Sequence, residues 1–111
     1  MLVHELLMDS DDQAWDLLAQ AKKNRDKGNH ADSLRDFSCL MRANPNAFPF
    51  FNLFQRTYVL SGLLELAKNY PDARRELAYL LHEKQKELSR APGDPYLLED
   101  VARLQSGIDG L

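Results

Sequence analysis

From residue 14 onwards, apolar residues return at every third or fourth position in successive stretches, and each stretch is closed by a proline, glycine or asparagine. That spacing places them on one side of an α-helix. Ala14, Leu17, Leu18 and Ala21 define one helix. It opens at Ser10-Asp-Asp-Gln13, where the serine hydroxyl and the glutamine side chain can each satisfy a backbone donor of the first turn. The helix turns wholly polar through Lys22–Lys27 and ends at Gly28, whose freedom at positive φ suits a helix terminus. Leu34, Phe37, Leu40 and Met41 mark the next helix, which stops before Asn44-Pro45 because the residue preceding a proline is disfavoured in the α region. Pro49 suits a helix start, and Phe50, Phe51, Leu53, Phe54, Tyr58, Leu60, Leu63, Leu64 and Ala67 surround much of the helix that follows, which predicts a central position. Asn69-Tyr-Pro71 interrupts the pattern. Asp72 and Glu76 then suit the positive end of a helix carrying Ala73, Leu77, Leu80, Leu81 and Leu88 inward. Asp94 as cap and Pro95 at the first helical position open a last helix to about Gln105, with Leu97, Leu98, Val101 and Leu104 as its stripe.

Ahead of all these, Leu2, Val3, Leu6 and Leu7 share a face and predict a short first helix of about two turns. The total is about six helices. No alternation of β-branched and polar residues is bounded by turn chemistry, so no sheet is expected. The expected fold is all-α, built from antiparallel helical hairpins in a single domain over 1–111.

Length and composition agree with one compact core. A chain of 111 residues has room for one hydrophobic centre, and 44% apolar with 28% charged residues is ordinary for a folded protein. Lys and Arg number 14 against 17 for Asp and Glu, intermixed along the chain, so nucleic acid is not an expected partner. The richest apolar stretch, Phe48 to Tyr70, is broken by Asn52, Gln55, Arg56, Glu65 and Lys68, and no membrane span is expected. Met1–Met8 lacks a basic start and meets Asp9, Asp11 and Asp12 at once, which argues against a secretion signal. The expected location is cytoplasmic.

Candidate chemistry is sparse. His4-Glu5 begins like the zinc-protease pattern H-E-x-x-H, but Met8 stands where the second histidine belongs. Cys39 has no histidine at helical spacing and reads as a structural thiol. His30 lies at a turn and suits packing, and His82 beside Glu83 reads as solvated or partly covered. The five glycines form no phosphate cradle. The pairs Asp11-Asp12 and Glu99-Asp100 are explained by the helix dipole. Neither a metal nor a cofactor is expected, and the chain does not read as an enzyme.

Between Leu17 and Pro45 the residues resemble a tetratricopeptide repeat. Ala21 stands at the small crossing position, Gly28 at the turn glycine, Ser33 and Phe37 at the small-x3-aromatic step, and Pro45 at the closing proline. A small side chain lets two helices approach, and the ring fills the seam between them. Asn24 stands where the family usually has an aromatic and Leu40 where it usually has alanine. The hairpin from Phe48 to about Arg90 resembles the family in topology, with Pro71 doing the turning, and the last helix resembles half of a third unit. The resemblance implies a short right-handed solenoid whose inner face is lined by the first helix of each pair. That places Trp15, Leu18, Lys22 and Arg25 beside Asn52, Arg56 and Val59 as a groove for a peptide or a partner helix. The residues themselves leave a second arrangement open, in which Trp15 packs against the short first helix and the cations are solvated. The family's clamp for a terminal carboxylate pairs a lysine with an asparagine one turn apart. Leu18 and Lys22 occupy that turn here, so no clamp is expected. Since the last helix lacks a partner helix, Leu97, Val101 and Leu104 are candidate contacts for homo-oligomerisation.

Overall fold

The computed structural model describes residues 10–111. The helix expected over Leu2–Leu7 and the His4-Glu5 pair lie outside these residues. Among the described residues there are five helices and no strand. They are α1 (Asp11–Asp26), α2 (His30–Arg42), α3 (the consecutive segments Phe51–Phe54, Gln55–Val59 and Leu60–Ala67), α4 (Pro71–Arg90) and α5 (Pro95–Asp109).

The helix ends follow from local chemistry. Ser10 is extended, and its Oγ accepts from the Gln13 amide at 3.4 Å. At the far end of α1, Gly28 takes φ +82°. Its N–H reaches the Arg25 carbonyl and the Asn29 N–H reaches the Asn24 carbonyl, the pattern of a Schellman turn. Pro71 and Pro95 each sit in the first turn of their helices, where the missing N–H costs nothing. Asp94 accepts from the amides of Tyr96 and Leu97. This capped helix runs on to Asp109 instead of stopping near Gln105. Helix α3 begins at Phe51, not Pro49, because Phe50 turns into the left-handed region at φ +66°.

α1 and α2 form an antiparallel hairpin. Ala21 and Phe37 are both fully buried, and Ser33 Oγ donates to the Ala21 carbonyl at 2.8 Å. Asp36 is buried too, with Oδ2 accepting from Gln20 and Asn24 at 3.1 Å each. Asn24 therefore fills its place by a polar contact across the hairpin. His30 packs its ring 5.2 Å from that of Tyr70.

α3 lies against α2 where a Cβ on Gly62 would meet the Phe37 ring. Gln55, buried, donates from Nε2 to the carbonyls of Leu40 and Ala43 at 2.9 Å each, closing the end of α2. Gln55–Val59 form a π turn, with the Leu60 N–H reaching back to the Gln55 carbonyl. Leu63, Leu66 and Ala67 share the core with Ala73, Leu77 and Leu80 of α4. Arg74 Nε donates to the Ala67 carbonyl at 2.8 Å. Arg42 of α2 grips Glu76 of α4 through both carboxylate oxygens, at 3.0 and 2.7 Å, which holds the guanidinium still more firmly protonated. α5 packs on α4 and α3, with Leu104 in the core and Gly107 against the Leu64 side chain. No helix among the described residues is long and apolar enough to cross a membrane.

Candidate functional site

The largest exposed apolar side chains on the α1/α3 side of the molecule gather in one place. Trp15 of α1 is 46% exposed, and beside it are Phe50 at 79%, Leu53 at 48% and Tyr58 at 51%. With Asp11, Phe48, Pro49, Phe54 and Thr57 they line a single open cleft. The rings form a chain. Trp15 meets Phe54 edge-on at 4.8 Å and Tyr58 at 5.0 Å, Phe54 stacks on Phe51 at 6.0 Å, and Phe51 meets Phe48 at 4.5 Å. Since Phe51 and Phe54 are anchored in the core, the exposed rings stand on a rigid base.

Lys22 and Arg25 lie further along α1 and line a shallow extension of this cleft with Thr57, Tyr58, Ser61, Gly62 and Glu65. Thr57 and Tyr58 belong to both parts, so the aromatic floor runs directly into the basic wall. Arg25 is paired with Asp26 at 3.2 Å, whereas Lys22 has no ion-pair partner among the described residues. The Lys68 ammonium, 2.6 Å from Glu65, hydrogen-bonds its carboxylate and holds the carboxyl below the usual carboxylate range.

The structure divides the expected groove. Trp15, Lys22 and Arg25 do share a face. Leu18 does not belong to it, because its side chain points into the hairpin core at 1% exposure, and Val59 is likewise buried. Arg56 turns toward α5, with Nε 3.0 Å from Asp100 Oδ1 and its guanidinium 5.8 Å from the Tyr96 ring centre. Lys84 Nζ reaches the other Asp100 oxygen at 3.7 Å. Asn52 lines a small cavity with Arg56, Met41, Pro45 and Leu104 on that same side. The π turn accounts for only part of this. Its wider turn bears on Val59, which lies within it and is buried, whereas Asn52 and Arg56 stay together on the side of α3 away from the one where Phe54 and Tyr58 meet Trp15.

The contact surface expected on the last helix is also corrected. Leu104 is 2% exposed and belongs to the core, and Leu97 and Val101 are partly buried. Leu104 packs into the core shared by α3 and α4, and Tyr96 and Leu98 are the exposed large apolar residues of α5.

Phe50, Leu53 and Tyr58 carry most of the exposed aromatic face and were read from sequence as core. A signal did exist, because a helix apolar around much of its circumference needs neighbours on every side, and among the described residues no helix covers the side of α3 that bears Phe50 and Leu53. Cys39 is half-buried against the core. No group of three or more His, Cys, Asp or Glu among the described residues is arranged to hold a metal ion. No family model matches the chain, and no match emerged among curated proteins or solved structures.

Proposed function

We propose that this protein is a protein-interaction module of tetratricopeptide-like design. In this reading α1–α2 and α3–α4 are successive hairpins, α5 is the first half of a third, and the partner docks on the face shared by α1 and α3. The reading assigns no catalytic role and no cofactor, and it places the chain in the cytoplasm.

One observation carries the reading: Trp15, Phe50, Leu53 and Tyr58 are adjacent and between 46% and 79% exposed, on a base of buried rings. Contiguous exposed aromatic surface of this kind marks interaction sites, and tryptophan and tyrosine supply much of the binding energy at interfaces. The occupant fitted by this surface is an amphipathic segment. Its bulky apolar side chains would enter between Trp15, Leu53 and Tyr58, and an acidic residue would reach Lys22 and Arg25. The hairpin packing supports the repeat-like design through Ala21, Phe37 and the Gly28 turn.

A peptide-display selection against the full chain tests the proposal. Selected peptides should pair large apolar residues with Asp or Glu, and Phe50→Ser or Tyr58→Ser should weaken them by about tenfold or more. Lys22→Ala should weaken them less and reduce their salt sensitivity. Selected peptides that ignore Phe50 and Tyr58 but are lost on Tyr79→Ser in α4 would overturn it.

A further inference from the structure

The shallow extension at Lys22 and Arg25 does not end on α3. Thr57, Ser61 and Glu65 line it, and the same three residues line a groove between α3 and α5 whose other wall carries Arg103, Ser106 and Gly107. One trough therefore runs from Tyr58 across α3 to α5. We propose that this trough receives a run of Asp or Glu residues that continues from the partner segment seated on the aromatic face, with Lys22, Lys68 and Arg103 as its charge contacts. The proposal rests on the reading of that face as a docking surface and adds to it the chemistry and direction of the bound segment.

Charge is the first support. The chain as a whole is acidic, with 17 Asp and Glu against 14 Lys and Arg, but the lining of the trough reverses that balance. Lys22, Arg25, Arg56, Lys68 and Arg103 border it with Glu65 as its only carboxylate. Arg56 is committed to Asp100, and Arg25 is paired with Asp26. The other three are free to receive a ligand. Lys22 has no ion-pair partner among the described residues. Lys68 pairs with Glu65 and Arg103 with Glu99, each at 2.6 Å, but all four side chains are between 45% and 59% exposed. Exposed pairs contribute at most about 1 kcal/mol, so an incoming carboxylate can take over either cation. A segment carrying several carboxylates complements this lining, and a neutral or basic one does not.

Shape is the second support. Thr57, Ser61, Glu65 and Lys68 follow one another at intervals of four, four and three along α3, which places them in one stripe about 16 Å long. An extended chain covers that length with about five residues. The floor is apolar and closely built. Leu60 and Leu64 line it, and a Cβ on Gly107 would stand 2.7 Å from a Leu64 methyl, so α5 approaches α3 here only because residue 107 has no side chain. Ser61 and Ser106 add a hydroxyl on either wall.

The test uses the full chain and a display-selected peptide that needs Phe50 and Tyr58. Adding four Glu residues to one terminus of that peptide should tighten its binding about tenfold at low salt. Adding them to the other terminus should not, because the trough leaves the aromatic cleft in one direction. Four Gln residues at the favoured end should give no gain. The ratio of the extended to the plain peptide's affinity should fall to about one in Lys68→Gln/Arg103→Gln and in about 0.5 M salt. In Glu65→Gln the same ratio should rise severalfold, a gain that loss of folding cannot imitate. Hexaglutamate alone, titrated into the labelled chain, should move the NMR signals of Ser61, Lys68, Arg103 and Ser106 together.

No gain from Glu at either terminus would overturn the proposal. So would an equal gain at both termini, a gain that survives Lys68→Gln/Arg103→Gln, or displacement of hexaglutamate by hexathymidylate at lower concentration, which would assign the trough to nucleic acid. The docking reading fails separately. If selected peptides require Phe50 and Tyr58 but gain nothing from Glu, only the acidic continuation is lost. If they require neither residue, the face itself is wrong and the continuation falls with it.

Discussion

The ring of Phe37 lies so close to Gly62 that a Cβ at that position would stand 2.4 Å from Phe37 Cε1 and 2.7 Å from Cζ. α2 and α3 cross at this contact. Phe37 is fully buried and cannot withdraw without opening the core. Gly62→Ala should therefore destabilise the protein even though alanine is the better helix former. Overpacking costs about 1–3 kcal/mol and the propensity gain returns about 1 kcal/mol, leaving a net loss of up to about 2 kcal/mol in urea unfolding. The companion change Phe37→Leu should relieve part of the loss in the double variant.

Gly28 separates conformational strain from crowding. Nothing lies within 4 Å of a Cβ placed there, but φ is +82°. Gly28→Ala should cost about 1–2 kcal/mol in chemical denaturation, the penalty of a left-handed L-residue. Gly28→Asn should cost less, since asparagine tolerates this region.

Gln55 makes two hydrogen bonds that no backbone group replaces. Gln55→Leu keeps the volume but leaves the carbonyls of Leu40 and Ala43 without their side-chain donor. A buried polar group left unsatisfied costs about 1–3 kcal/mol, so thermal unfolding of this variant should shift down by several degrees. Gln55→Glu should be no milder, because its carboxylate offers those carbonyls no donor.

Arg56 and Asp100 should couple to each other and not to the partner. A double-mutant cycle with Arg56→Ala and Asp100→Ala should give a coupling energy of about 1 kcal/mol in stability, near the upper end for partly exposed pairs. Peptides that bind through Trp15 and Tyr58 should bind Arg56→Ala as they bind the parent.

Much of the helical layout was legible because its signals are local. The Ser10 cap, Gly28, Pro45, Pro71 and the Asp94-Pro95 start each set a helix end through backbone chemistry within a few residues. Ala21 and Phe37 were legible as a crossing because a small residue and a ring at that spacing have one efficient packing. The site was legible only in part. Trp15, Lys22 and Arg25 belong to a regular helix, and periodicity placed them on one face, as the structure does. Asn52 and Arg56 were misplaced because α1 meets α3 through Phe54 and Tyr58 on its other side, a choice of face that depends on tertiary packing, and Val59 lies buried within the π turn. Leu104 was misread for a related reason, since whether a stripe is covered depends on where α3 and α4 lie. Phe50, Leu53 and Tyr58 were hidden by their own hydrophobicity, which pattern reading assigns to the core.

The central claim is that the α1/α3 aromatic face receives the partner. Backbone and indole NMR shifts of the labelled full chain, recorded while a display-selected peptide is titrated in, test it most directly. The account predicts that the Trp15 indole, Lys22, Leu53, Tyr58 and Ser61 move together and saturate at one affinity. Saturable shifts confined to Tyr79, His82 and their neighbours on α4, with the Trp15 indole unmoved, would contradict it.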